Sequence, residues 1–338
     1  METKRLYLCE SREKSINEAA EILKGGGVVA IPTETVYGLA ASALDQKAIN
    51  SVFAAKGRPQ DNPLIVHIDS IEMLNKIAKD VPESAYRCAE RFWPGPLTMV
   101  LPSSGYVCKA VSAGLSTVAV RMPEDKTARD IITAAKLPLA APSANISGSP
   151  SPTTALHVLN DLDGKIDAVV MGDDCKVGVE STVISVSENS ARLLRPGAVT
   201  VEMLKEVFDS VIIDKAILSE PERGERVASP GMKYKHYAPK TALYLVEGDS
   251  ESFCSFVNGQ GVAAVCFSEE RDKIKGEAFV YGVESDPDTM AQRIFSILRE
   301  LDLKNIKKAY VHAPEKSGVG LAVYNRLIRA CAFNVVKL

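Results

Sequence analysis

Histidine is scarce in this chain. Four occur among 338 residues, scattered at positions 67, 157, 236 and 312. That spacing indicates neither a histidine-rich metal site nor a Ser-His-Asp triad, so chemistry that needs a strong side-chain base is disfavoured. There is no P-loop, no Gly-x-Gly-x-x-Gly fingerprint and no Gly-x-Ser-x-Gly elbow. The seven cysteines, at 9, 88, 108, 175, 254, 266 and 331, form no Cys-x-x-Cys pair and are odd in number. Reduced thiols in a cytoplasmic protein account for them better than a disulfide framework or a zinc site. No apolar run is long enough to span a bilayer, and the polar start Met1-Glu2-Thr3-Lys4-Arg5 does not read as a signal peptide. Basic charge is not in excess either. The formal net charge of -3 argues against a generic nucleic-acid scaffold, while brief contact with RNA stays compatible with it.

What is present is an ordinary globular composition, 46% hydrophobic and 25% charged, on a length that suggests about two domains. Residues 1–210 read as one mixed α/β unit. The run Val28–Ile31 follows a glycine triplet and predicts a buried strand. Asp45 can cap a helix whose apolar face carries Ile49, Val52 and Phe53. Further strands are predicted near 64–66, 97–101, 118–121, 139–141, 168–171, 182–186 and 192–194, with helices near 71–79, 83–92, 126–135 and 153–160. Several strands follow one another without a helix between them, which predicts a mixed sheet. Residues 211–240 then lose the apolar period, and from Ser219 the segment is rich in charge, Pro and Gly. Such a stretch is a linker or a functional loop. Residues 241–338 alternate short apolar strands with helices, the pattern of a smaller, largely parallel sheet. Asp286 and Pro287 suit the N-cap and first position of a helix there.

Three segments stand where strands or helices end. In Lys56-Gly57-Arg58, Gly57 can take the left-handed conformation that stops a helix. Lys56 and Arg58 would then converge on one anion, a point charge beside a forked donor. A basic helix end complementing the dipole is the simpler reading of the tripeptide alone. Pro32–Leu39 places Thr33 and Thr35 after a buried strand, which suits the mouth of an α/β sheet as well as it suits a capped turn. Ser143-Ala144-Asn145 offers a hydroxyl and an amide in a tight turn that could bind phosphate or simply precede a helix. Arg121, His67 and Arg195 each close a strand, and Ser181 opens one. Each of these is open to a structural role.

Taken as an ordered set, these segments closely resemble the threonylcarbamoyl-AMP synthase family, built on the YrdC-type fold. The matching pieces are Pro32–Leu39, Lys56–Pro59 with Asn62-Pro63-Leu64, Phe92–Thr98, Val120–Pro123, Pro142–Asn145, Ser181-Thr182 and Leu194–Gly197. Ser229–Pro239 and Gly320–Leu327 resemble hallmarks of the long, two-domain branch, although Tyr324 departs from the smaller apolar residue expected at its position. The resemblance implies a twisted mixed sheet with flanking helices over 1–210, a linker and active-site lid over 211–240, and a Rossmann-like α/β domain over 241–338. It implies the reaction of L-threonine, bicarbonate and ATP to threonylcarbamoyl-AMP and pyrophosphate, with Mg²⁺ accompanying ATP. The product would pass to the tRNA threonylcarbamoyl transferase machinery, with weak tRNA contact and no membrane.

By the same resemblance, Thr33, Thr35, His67, Arg121, the backbone at Ala141, and Ser181 fall on threonine. Arg58, Asn62, Thr117, Ser143, Ser151, Arg195 and Tyr234 fall on ATP. Lys56, Arg58, Ser143 and Asn145 form the catalytic set, Asn145 supporting the phosphate or metal shell. No dedicated protein ligand for the metal is implied. Two other readings compete. Carbamoyl-adenylate chemistry belongs to hydrogenase-maturation proteins, whose extra zinc-finger and acylphosphatase-like modules are not found here. An RNA-binding module sits poorly with the acidic balance.

Overall fold

A computed structural model describes residues 2–219 and 237–338. Two sheets organise the chain. The first has eleven strands. In spatial order they are Lys4–Tyr7, Ala168–Met171, Val29–Ile31, Gly38–Ser42, Leu139–Ala140, Ile65–His67, Thr117–Arg121, Leu97–Pro102, Thr182–Ser187, Ser190–Arg195 and Ser210–Ile213. Parallel and antiparallel pairings are mixed through it, as consecutive strands without crossover helices require. Its last strand runs just past residue 210, pairing in parallel with Ser190–Arg195. Separate apolar clusters fill its two faces, one built around Val52, Phe53, Val66 and Met99 and the other around Leu23, Ile31, Ile131 and Val170.

The helices form where caps and apolar spacing agree. Asp125 accepts from Ala128 N at 2.9 Å and starts the Lys126–Ala135 helix. The Arg12–Lys24 helix was not anticipated. Ser11 caps it, and Ile16, Ala19, Ala20 and Leu23 form its buried stripe. Arg12 then crosses to Asp130 at 2.7 Å, tying the two helices together.

The second sheet has five strands in the order Ala278–Gly282, Ala263–Phe267, Lys308–His312, Ala242–Glu247 and Val335–Lys337. Every pairing in it is parallel. Pro287 opens the long Pro287–Leu303 helix with Asp286 at its N-cap. Tyr324 is accommodated by donating its hydroxyl to Glu247 at 2.7 Å.

The two sheets share their packing. Val36 and Val179 belong to the apolar cluster of the second sheet, and Leu321 to that of the first. Arg299 donates to Asp161 at 2.7 Å and 3.0 Å. Gly178 lies so close to the Pro287–Leu303 helix that a Cβ there would sit 2.3 Å from the Ala291 carbonyl oxygen. No helix among the described residues is long and apolar enough to cross a membrane.

Candidate active site

A cavity opens in the first domain where the loops after its central strands converge. One wall comes from the end of the Gln46–Lys56 helix. Asp45 caps that helix by accepting from Lys47 N at 2.8 Å, and Gly57 ends it at φ 60° and ψ 34°. The turn brings Arg58 N back to the Phe53 carbonyl at 3.0 Å.

Lys56 and Arg58 do not converge on one point. The Lys56 ammonium is buried and donates to the carbonyl oxygens of Ser143 and of Asn145, the latter at 2.6 Å, with Asn145 Oδ1 at 3.5 Å. Its three donors are therefore spent on the Ser143–Asn145 turn rather than aimed at a ligand. Burial, and then the Arg58 charge, hold its pKa well below the ordinary lysine value. Ser143 Oγ donates to Asn145 Oδ1 at 2.6 Å, and Asn145 Nδ2 donates to the carbonyls of Ile146 and Ser149, each at 2.8 Å. The turn is thus a closed polar unit built around one lysine. Arg58 differs. Its Nη2 reaches the carbonyls of Asn62 and Pro63 at 3.4 and 3.2 Å, while its buried Nε has no hydrogen-bond partner among the described residues. Burial lowers its pKa to about 10, so it is still charged at neutral pH and available to an anion.

At the other end, His67 and Arg121 sit side by side as register partners on parallel strands. Arg121 Nη1 donates to Thr35 Oγ1 at 2.8 Å and its Nε to the Gly95 carbonyl at 3.3 Å. Its Nη2 lies 2.6 Å from Glu34 Oε1 in a buried ion pair. A guanidinium has five N–H groups, so one remains on each terminal nitrogen for a ligand. Burial alone would raise the Glu34 pKa, but the Arg121 charge, its hydrogen bond and the backbone donors at Glu124 and Glu34 together outweigh it and hold the carboxyl below its usual range. Thr33 fixes the loop from inside: its hydroxyl donates to the Val36 carbonyl at 2.6 Å and lies 2.9 Å from Thr35 Oγ1.

His67 Nδ1 lies 3.3 Å from the Ile65 carbonyl. Burial first, then the Arg121 charge, push its pKa down to about 3, so the ring is neutral at physiological pH. The unfolded chain binds a proton at the ordinary 6.5, which the folded chain refuses until about pH 3. Its contribution to stability is complete above the unfolded value and falls as pH drops toward the folded one. His157, depressed to about 4 mainly by burial, acts in the same window. A His67→Gln variant should therefore show a shallower loss of urea stability between about pH 6.5 and 4 than the parent chain. Identical slopes would mean that His67 is not buried in its neutral form.

A third wall joins Ser181 and Arg195. Arg195 Nε donates to the Ser181 carbonyl at 3.0 Å and its Nη2 to Ser181 Oγ at 3.2 Å, while Thr98 Oγ1 lies 2.7 Å from Ser181 Oγ. Gly197 permits this approach, because a Cβ there would stand 2.4 Å from Thr182 N. Tyr237 completes the lining in the left-handed conformation, φ 62°, with its ring 5.3 Å from that of Phe295.

A model of the Sua5, YciO and YrdC family, described as telomere recombination, matches residues 21–197. A second, described as the threonylcarbamoyl-AMP synthase C-terminal domain, matches residues 199–332. The threonylcarbamoyl-AMP synthase of Pyrococcus abyssi is 42% identical over 335 residues, covering 96% of each chain. The chain belongs to the threonylcarbamoyl-AMP synthase family. The synthase of Bacillus subtilis is 40% identical over 349 residues and covers both chains fully. A crystal structure of P. abyssi Sua5 complexed with L-threonine matches at a TM-score of 0.88 and 39% identity, again over 100% of each chain.

Of the residues that the family resemblance singled out, Thr33, Thr35, Lys56, Arg58, His67, Arg121, Ala141, Ser143, Asn145, Ser151, Ser181 and Arg195 line this one cavity. Two do not. Asn62 is buried beside it and contributes a carbonyl to Arg58. Thr117 begins the strand that Arg121 ends, paired with Pro102, and is not among the lining residues. Tyr234 lies outside the described residues. Sequence reasoning passed over Glu180 and Tyr237 as lining residues and Glu34 as the partner of Arg121. The signal for Glu34 was a single carboxylate between Thr33 and Thr35 directly after a buried strand.

Proposed function

We propose that this chain is an L-threonylcarbamoyladenylate synthase, a nucleotidyltransferase that converts L-threonine, bicarbonate and ATP to L-threonylcarbamoyl-AMP and pyrophosphate. The observation that carries the reading is one cavity with two chemically distinct ends. Arg58, Ser143, Ser151 and Arg195 form a cationic and hydroxyl-bearing end suited to polyphosphate. Thr35, His67, Arg121 and Ser181 form a smaller polar end, with two guanidinium N–H groups to receive an amino acid's carboxylate. The P. abyssi relative that covers the whole chain binds L-threonine.

The chemistry asks little of side-chain bases. The threonine amine and bicarbonate give an N-carboxylate and water. One oxygen of that carboxylate attacks the α-phosphorus of ATP, and the bond from that phosphorus to the bridging β-oxygen breaks, releasing pyrophosphate. The nucleophile is already anionic, so the protein's work is to position reactants and to stabilise charge on phosphate. Arg58, at the polyphosphate end, has a buried donor without a partner among the described residues for that purpose. His67, being neutral, adds no repulsion against the threonine ammonium.

Among the described residues no group of three His, Cys, Asp or Glu could hold a metal ion. The hydroxyls of Ser143 and Ser151 suit a hydrated Mg²⁺ carried in on the polyphosphate, where it would neutralise phosphate charge. Six of the seven thiols are buried or half-buried and all are free, which supports a cytoplasmic setting. The product would then supply the threonylcarbamoyl transfer to tRNA.

Pyrophosphate release by the full chain should require ATP, threonine and bicarbonate together. Release that ignores threonine, or that depends on carbamoyl phosphate, would reject the reading.

A further inference from the structure

Gly320–Leu327, in the second domain, lies far from the cavity in sequence. Its Arg326 nevertheless reaches the cavity wall. Arg326 is fully buried, and its Nε donates to Glu180 Oε2 at 2.8 Å. Its Nη2 donates to the Glu180 carbonyl at 3.2 Å and its Nη1 to the Pro196 carbonyl at 2.9 Å. The other carboxylate oxygen of Glu180 accepts from Ser151 Oγ at 2.5 Å. Glu180 and Ser151 both line the cavity at the end assigned to polyphosphate. The Tyr237 ring lies 5.7 Å from the Arg326 guanidinium.

A carboxylate in the wall of an anion site is an electrostatic liability. Arg326 removes it from behind. It also gives the adjoining segments, Glu180–Ser181 and Arg195–Gly197, one shared anchor. Its neighbours reinforce the position, with Asn325 Nδ2 donating to the Ile217 carbonyl and Arg329 Nη2 to the Ala216 carbonyl, each at 2.7 Å.

We propose that Arg326 is a positioning residue for the nucleotide end of the site: it neutralises Glu180 and holds Ser151 and Arg195 in register, so that the second domain braces part of the ATP-binding wall. This inference rests on reading that end of the cavity as the ATP site.

The test uses the full chain and the variants R326M, E180Q, E180Q/R326M and R326K. Mg-ATP binding is measured by calorimetry, and pyrophosphate release gives separate KM values for ATP and threonine. R326M leaves a lone carboxylate facing phosphate and should weaken ATP binding about tenfold, with the threonine KM within about twofold of the parent. E180Q should bind ATP nearly as well as the parent, and the double variant should recover most of what R326M loses. A merely structural pair would move the ATP and threonine KM values together. That outcome, or a double variant no better than R326M, overturns the proposal. Should R326M not fold, R326K replaces it. Arg326 meets its three acceptors with three separate nitrogens of a planar fork, which the shorter lysine side chain with its single nitrogen does not reproduce, so its ATP KM should still rise several-fold, and an unchanged value overturns the proposal. Parent chain that binds no ATP would reject the functional reading itself. Parent and R326M binding ATP equally would reject this inference alone.

Discussion

Lys56→Met is expected to lower threonine-dependent pyrophosphate release by about 100-fold or more, while the chain remains folded. The reason is local. One ammonium holds the Ser143 carbonyl, the Asn145 carbonyl and Asn145 Oδ1, and Asn145 Oδ1 in turn orients the Ser143 hydroxyl. Methionine fills the volume but leaves these oxygens without their donor, at about 1–3 kcal/mol for each buried group left unsatisfied. The turn relaxes away from them, and a shift of about 1 Å at a reacting group can cost about 100-fold in rate. The loss should fall mainly on kcat, because Arg58 and Arg195 still bind polyphosphate. Near-parent kcat in a folded Lys56→Met chain would show that the turn's geometry does not matter to the reaction.

Arg121→Met should act differently. Its first effect is on threonine, whose apparent KM should rise about 100-fold as the carboxylate loses its charged fork. Its second effect is on the fold. Glu34 is buried with Arg121 as its charged partner, so removing that partner should cost about 3–5 kcal/mol of stability. The two effects can be separated. Glu34→Gln/Arg121→Met removes both charges and should recover most of the stability measured by urea unfolding, but none of the threonine affinity. Threonine affinity returning along with stability would mean that Arg121 only holds the loop and does not meet the substrate.

Much of the fold was legible where local signals agreed. The capped Lys126–Ala135 helix, the uncapped but strongly striped Glu83–Phe92 helix and the β-branched run within Ala168–Met171 fall where the sequence places them. Gly38–Ser42 escaped because Gly-Leu-Ala-Ala-Ser has no β-branched residue and is buried throughout, so it shows neither propensity nor alternation. Lys4–Tyr7 and Ser210–Ile213 are sheet edges, with mixed exposure and weak patterning.

The site was legible as a set of short motifs at strand ends, not as geometry. Nothing local says that Lys56 turns toward carbonyls 87 and 89 residues away. Nor does any local pattern pair Glu180 with an arginine 146 residues further on. Those contacts depend on how the sheets close and dock, which is a property of the whole chain.

The segment from Val177 to Ser181 is attached at every step. Val177 N bonds the Glu34 carbonyl at 2.7 Å, and Gly178 abuts the Pro287–Leu303 helix with no room for a methyl group. Val179 is packed in the second domain's core, Glu180 is held by Arg326, and Ser181 faces the cavity. In evolutionary terms, the two domains cannot drift apart independently. A change of side-chain bulk on the outer helix has no slack to absorb it and is passed along three residues of backbone to the active site. Exchanging second domains between relatives is therefore an exchange of active-site walls as well.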